Sequence, residues 1–260
     1  MPDPSPPPDI DGRPACLVLH GLGGNRFELA PLIDALGRAG CPLRTPTLPG
    51  HEVTGPIMPA STWPEWSEVA EANFDELAST GRSVVVVGFS TGGTLALLLA
   101  TRRPVSRLVL IAPFLAIRFG GLIPFHPSIM IRPLARILPD LPRRPAPVRD
   151  PEARRRLDSV ERFQTFSLRA TLSALDLIDR VKPLVPTIRT PTLILQGRRD
   201  TVVDPPGAAW LARHLGSSVK PLLYFERSDH LLALDYERDR VIAASTSFAL
   251  DRGNWGDFEP

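Results

Sequence analysis

The stretch Val84-Val85-Val86-Val87-Gly88-Phe89-Ser90-Thr91-Gly92-Gly93-Thr94-Leu95-Ala96-Leu97-Leu98-Leu99-Ala100 decides the fold. Four successive valines read as a strand covered on both faces, because a central parallel strand is a continuous β-branched run. The alanine- and leucine-dense Thr91–Thr101 that follows reads as a buried helix. Between them Ser90 stands among three glycines, as Gly-x-Ser-x-Gly-Gly. A strand turning at once into a helix crowds the backbone at 88 and 92, so side chains there would collide with it. The serine is then held in a strained conformation that pushes its hydroxyl outward. The pentapeptide alone would arise by accident in about one chain in ten of this length, taking Gly and Ser at about 7% each. The strand before it and the helix after it supply the specificity.

Outward from this core, apolar runs alternate with helical patterns. Strands are expected at Ala15–Leu19, Pro42–Thr47, Ser83–Val87, Arg107–Ile111, Thr192–Leu195 and Val219–Phe225. Helices are expected at Glu28–Arg38, Trp63–Ser79, Pro205–Leu215 and Tyr236–Ala249, the second with Thr62 as N-cap and Glu65 three residues on. This is an α/β fold, a mostly parallel central sheet flanked by helices. The alternation lapses between residues 113 and 186, where proline and arginine dominate and helices are expected around Ser128–Leu138 and Arg154–Asp179. The organisation is therefore a disordered lead-in over 1–13, a core of 14–112 and 187–252, and an inserted, mainly helical cap over 113–186.

Composition excludes several classes. A hydrophobic fraction of 43% against 22% charged fits a globular chain and no disordered or fibrous one. The net charge of +2 is too small to argue for a nucleic-acid partner. The insert carries 13 Arg and Lys against 7 Asp and Glu, while the remainder nets −4. This basic surface is either plainly solvated or attracts an anionic substrate or lipid surface. Cys16 and Cys41 form no disulfide framework and read as small buried hydrophobes. The first residues, Met-Pro-Asp-Pro-Ser-Pro-Pro-Pro, make no signal peptide, and no apolar run approaches a membrane span. A cytoplasmic protein without stable membrane insertion is expected.

A serine hydroxyl needs a base to become a nucleophile, and the base needs an orienting acid. Of His20, His51, His126, His214 and His230, only the last two follow the resumed sheet; His214 lies inside an expected surface helix. His230 falls in the loop after Val219–Phe225, where a site loop belongs. Asp200 follows Thr192–Leu195 closely; Asp204 is its neighbour and rival, which would otherwise cap the next helix. An oxyanion site needs two backbone N–H groups. The candidates are Thr91, directly after the serine, and Leu22 in His20-Gly21-Leu22-Gly23-Gly24, which leaves His20 and His51 as braces. Trp63 and Trp66 either line a pocket or, more in keeping with such pairs, pack their helix on the sheet. Phe114, Phe119, Phe125, Phe163 and Phe166 form either an acyl-binding wall or the insert's own core.

Six motifs in order then carry a resemblance: His20–Gly24, Leu48-Pro49-Gly50-His51, Thr62–Trp66, Gly88–Gly93, Gln196–Asp200, and Ser228-Asp229-His230 with Leu234-Asp235. The chain resembles the bacterial carboxylesterases and monoacylglycerol lipases of the α/β-hydrolase superfamily. The resemblance implies a catalytic triad of Ser90, Asp200 and His230, oxyanion amides at Leu22 and Thr91, and a small mobile cap over the acyl pocket. It departs from the family at Thr91, where Met or Leu is usual, at Asp229, where glycine is frequent, and at Glu52 after Gly50-His51. The expected activity is cleavage of carboxylic esters, of short or medium acyl chains or monoacylglycerols, with no cofactor and no metal. The expected partner is a small-molecule ester. A thioesterase, amidase or acyltransferase would use the same residues; a hydrolase-fold binding protein would be expected to have lost one of them.

Overall fold

A computed structural model describes residues 12–53, 55–118 and 127–253, without the side chains of 127–130. Most of the expected lead-in, with Phe119, Phe125 and His126, lies outside the described residues.

Six parallel strands form the central sheet: β1 (Ala15–Leu19), β2 (Leu43–Arg44), β3 (Val84–Phe89), β4 (Arg107–Ile111), β7 (Thr192–Gly197) and β8 (Leu222–Phe225). Their order is β2-β1-β3-β4-β7-β8. The chain starts at β1, steps outward to β2, returns to β3 and runs on to the far edge. The reversal falls between β1 and β3, and at such a switch point the carboxyl ends of the strands open a crevice. In register, Leu19 of β1 sits opposite Gly88 of β3, so the loops after these two strands start side by side. Every residue of β1, β3 and β7 is buried, as continuous apolar runs require.

Helices α1 (Ala30–Arg38), α2 (Trp63–Ala78), α3 (Thr91–Ala100), α7 (Pro206–His214) and α8 (Arg238–Ala249) flank the sheet. The helix expected from Glu28 splits. A 3-10 turn over Arg26–Leu29 precedes α1, because Pro31 has no N–H to continue an α-helical ladder backward. Helix α2 begins with a capping box between Thr62 and Glu65. Trp66 is buried under it, donating to the Pro49 carbonyl at 3.1 Å and Ser61 Oγ at 3.0 Å, so it packs the helix down. Both cysteines are free and buried.

Between β4 and β7 lie α4 (Pro127–Leu134), α5 (Pro151–Asp158), α6 (Leu168–Val181) and an antiparallel pair, β5 (Asp140–Pro142) with β6 (Thr165–Ser167). The single helix expected over 154–179 is thus broken. Phe163 is buried, and Gln164 donates to the Pro56 carbonyl at 2.7 Å while accepting from Arg143 N at 2.7 Å. Those bonds pull the chain into extended form before Ser167 caps α6. Among the described residues no helix is long and apolar enough to cross a membrane.

The sharpest packing lies at the β3–α3 turn. A Cβ on Gly88 would sit 2.6 Å from Gly93 Cα, and one on Gly92 would sit 2.7 Å from the Leu19 carbonyl carbon. The opposing atoms are backbone and cannot swing away. Gly92→Ala should therefore cost about 3 kcal/mol through overpacking, read as a fall in the urea midpoint at unchanged m-value. An unshifted midpoint would contradict the close approach.

Candidate active site

Ser90 occupies the turn as the N-cap of α3, with φ 52° and ψ −119°. A positive φ is unfavourable for a residue with a side chain and persists only where neighbours enforce it. Ser90 N donates to the Ile111 carbonyl at 2.9 Å. Its own carbonyl accepts from Gly93 N (2.9 Å), Thr94 N (3.3 Å) and Phe114 N (3.0 Å). The Phe114 bond is reached because the chain leaves β4 through Ala112, also at positive φ. With the backbone fixed at both ends, the hydroxyl points at His230.

His230 Nε2 lies 3.0 Å from Ser90 Oγ, and His230 Nδ1 lies 2.9 Å from Asp200 Oδ2. The three side chains, 30 to 140 residues apart in sequence, form one hydrogen-bonded line. Asp200 is 0% exposed, His230 5% and Ser90 7%. In such surroundings the carboxylate needs partners. Its Oδ1 accepts from Val202 N and Val203 N, each at 2.8 Å, and Oδ2 also takes a bond from Gln196 Nε2 at 3.0 Å. Burial pushes the Asp200 carboxyl up, but His230 and these donors outweigh it and hold it below the usual carboxylate range. Burial pushes the His230 imidazole down, but the Asp200 charge and hydrogen bond reverse this and hold it above its ordinary value.

Two carboxylates named in the sequence motifs, but given no role there, lock the two loops together. Asp229 Oδ1 accepts from Thr201 N and His230 N, both at 2.8 Å, and from Thr201 Oγ1 at 2.9 Å. A departure from the family's usual glycine therefore ties the acid loop to the histidine loop. Asp235 is buried and accepts N–H bonds from Asp229, Tyr236, Arg149 and Asp150 at 2.7 to 3.0 Å, fastening the histidine loop to the inserted segment. The partners Thr201, Arg149 and Asp150 lie 28 to 86 residues away and leave no local signal beyond the residue type.

The other candidates separate cleanly. His214 is exposed and stacks on Trp210 at 4.5 Å between centroids. Asp204 makes no side-chain cap on α7, whose N-cap is Pro205; its carbonyl accepts from Gly207 N instead. His20 is buried, donates from Nδ1 to the Gly21 carbonyl (2.9 Å) and accepts Leu48 N at Nε2 (3.1 Å). Burial, with His51 beside it, pushes its imidazole down to about 3, so it is a neutral brace. His51 packs against His20 and Trp66.

The loop carrying Leu22 borders the serine: a Cβ on Gly21 would lie 3.0 Å from Ser90 Cβ. Among the described residues neither Leu22 N–H nor Thr91 N–H is matched with an acceptor. No group of three or more His, Cys, Asp or Glu there converges as a metal site.

A parallel sheet with this reversal, and a serine on the turn after its third strand, define an α/β-hydrolase. Residues 11–237 match the family model described as serine aminopeptidase, S33, and the chain belongs to that family. It is 26% identical over 245 residues to the thermostable monoacylglycerol lipase of Bacillus sp. (strain H-257), covering 92% of this chain and 91% of that one. It is 27% identical to the carboxylesterase of Bacillus subtilis (strain 168), covering 88% and 89%. Among solved structures, the monoacylglycerol lipase of Paleococcus ferrophilus shares the fold at TM-score 0.79 and 24% identity, over 93% of this chain and 97% of that one.

Only a neutral imidazole has a free lone pair at Nε2 to face the Ser90 hydroxyl, and that acceptor is lost as pH falls through the His230 value. By NMR, His230 should titrate above 6.5 in the native protein and shift downward in Asp200→Asn. Titration at or below 6.5 with no response to that substitution would contradict the pairing.

Proposed function

We propose that the protein is a carboxylic ester hydrolase working through an acyl-enzyme on Ser90. What supports the reading most is the hydrogen-bonded line Ser90–His230–Asp200, set beside the Leu22 and Thr91 amides at the sheet's switch point. The relatives named as a monoacylglycerol lipase and a carboxylesterase agree with esters of short or medium acyl chains, monoacylglycerols included.

In the first half-reaction His230 Nε2 takes the hydroxyl proton as Ser90 Oγ attacks the ester carbonyl. The carbonyl π pair moves onto oxygen, where the Leu22 and Thr91 N–H groups stabilise the charge. Asp200 stays ionised and holds the imidazolium. The tetrahedral species collapses, the C–O bond to the alcohol breaks, and His230 returns its proton to the leaving alkoxide. Water repeats the sequence on the acyl-enzyme and releases the acid. In this reading residues 113–186 act as the cap, and the contacts of Arg143 and Arg149 with the Gly23 and Asp235 loops support a role in choosing which acyl chains enter.

Ser90→Ala should lower kcat for p-nitrophenyl butyrate by about 10⁴-fold or more while circular dichroism stays native. Cleavage within tenfold of wild type would sink the reading. An amino-acid p-nitroanilide in the same panel tests the peptidase activity that the family description names. Ester turnover without anilide turnover is the expected result.

A further inference from the structure

The Gly21–Gly24 turn that carries Leu22 is held on its Gly21 side, where the carbonyl accepts from His20 Nδ1 at 2.9 Å. One bond closes it, from Gly24 N to the Gly21 carbonyl at 3.1 Å. Gly23 sits at φ 66°, in the left-handed region, and Gly24 follows it. Two successive glycines make peptide reorientation cheap. Yet a transition-state donor must be fixed before the reaction, since it contributes through preorganisation.

The constraint on the Gly23 side comes from the inserted segment. Arg143, just after β5, donates from Nη1 to the Gly23 carbonyl at 2.6 Å. That carbonyl belongs to the same peptide whose N–H closes the turn, so the peptide is gripped at both ends. A flip would turn an N–H toward a buried guanidinium, leaving both unsatisfied. The guanidinium is itself fixed. Its Nη2 lies 3.5 Å from Glu28 Oε1, with the two side chains only 11% and 10% exposed. Its Cζ lies 5.0 Å over the Phe166 ring. Phe166 also abuts Gly23, where a Cβ would come 2.6 Å from its ring edge. Burial pushes Glu28 up and Arg143 down, so each disfavours its own charge and relies on the other.

We propose that Arg143 is a positioning residue for the reaction: held by Glu28 and Phe166, it clamps the Gly23 carbonyl and so aims the Leu22 N–H at the substrate oxyanion. The clamp joins the inserted segment to the oxyanion site, so the seat of β5 and β6 governs transition-state stabilisation as well as access. This rests on the ester-hydrolase reading above.

The test uses the full chain with p-nitrophenyl butyrate and a trifluoromethyl ketone of matching acyl length. Ser90 Oγ adds to the ketone carbon, the π pair moves to oxygen, and His230 holds the displaced proton, so the adduct reports oxyanion stabilisation without turnover. Arg143→Met keeps the length and removes the fork. It should lower kcat about 10- to 100-fold, short of the roughly 10²- to 10³-fold loss of a whole oxyanion donor, with KM within twofold. Affinity for the ketone should fall by the same factor as kcat/KM. Arg143→Lys, which keeps charge and bulk but not the fork, should fall between the two and is the variant to read if Arg143→Met does not fold. A merely structural role would lower Tm and leave kcat and ketone affinity of the folded protein within twofold of wild type, and that result would overturn the proposal. An inactive wild type would instead overturn the ester-hydrolase reading beneath it.

Discussion

The fold turns on one strained residue. Ser90 is held at positive φ by four backbone hydrogen bonds, from its amide to Ile111 and to its carbonyl from Gly93, Thr94 and Phe114. This conformation is what separates the hydroxyl from the helix behind it. Strain of that kind costs on the order of 1–3 kcal/mol and survives only inside a frame that over-determines it. The frame is the set of parallel strands β1, β3 and β4, buried except for Arg107 at the start of β4, whose ends converge there. Relax any of these and the serine would settle as an ordinary helix cap, facing no base.

The same frame brings the other parts within reach. Strand β7 ends beside β4 and delivers Asp200; β8 ends beside β7 and delivers His230. The loops are then fastened to each other by carboxylates acting as acceptors for backbone N–H groups. Asp200 binds the amides of 202 and 203, Asp229 binds Thr201, and Asp235 binds four amides across two segments. Buried charges used this way fix geometry, because each orphaned donor or acceptor would carry a desolvation cost. Arg143 and Glu28 extend the pattern to the oxyanion turn.

The core was legible because its signals are local. Val84–Val87 needs no partner to be recognised as a buried strand, and Gly88, Gly92 and the serine between them state their turn chemistry directly. Asp200 and His230 could be reached from chain order and strand ends alone. The inserted segment was less legible for a physical reason. Leu141 pairs with Phe166, 25 residues away, and the pairing overrides the helical pattern expected across 154–179. Glu28 reads as a helix residue in sequence, and nothing nearby announces that its carboxylate is buried against Arg143. The role of Asp229 was hidden likewise, since its partner Thr201 lies in another loop.

The central claim is that Ser90 becomes covalently acylated. The most direct measurement is rapid acid quench after mixing with excess p-nitrophenyl butyrate, followed by mass spectrometry of the intact chain and its peptides. The account predicts a butyryl adduct of one per chain, located on Ser90 and lost in Ser90→Ala. An adduct on another residue, or full turnover with no adduct at any quench time, would contradict it.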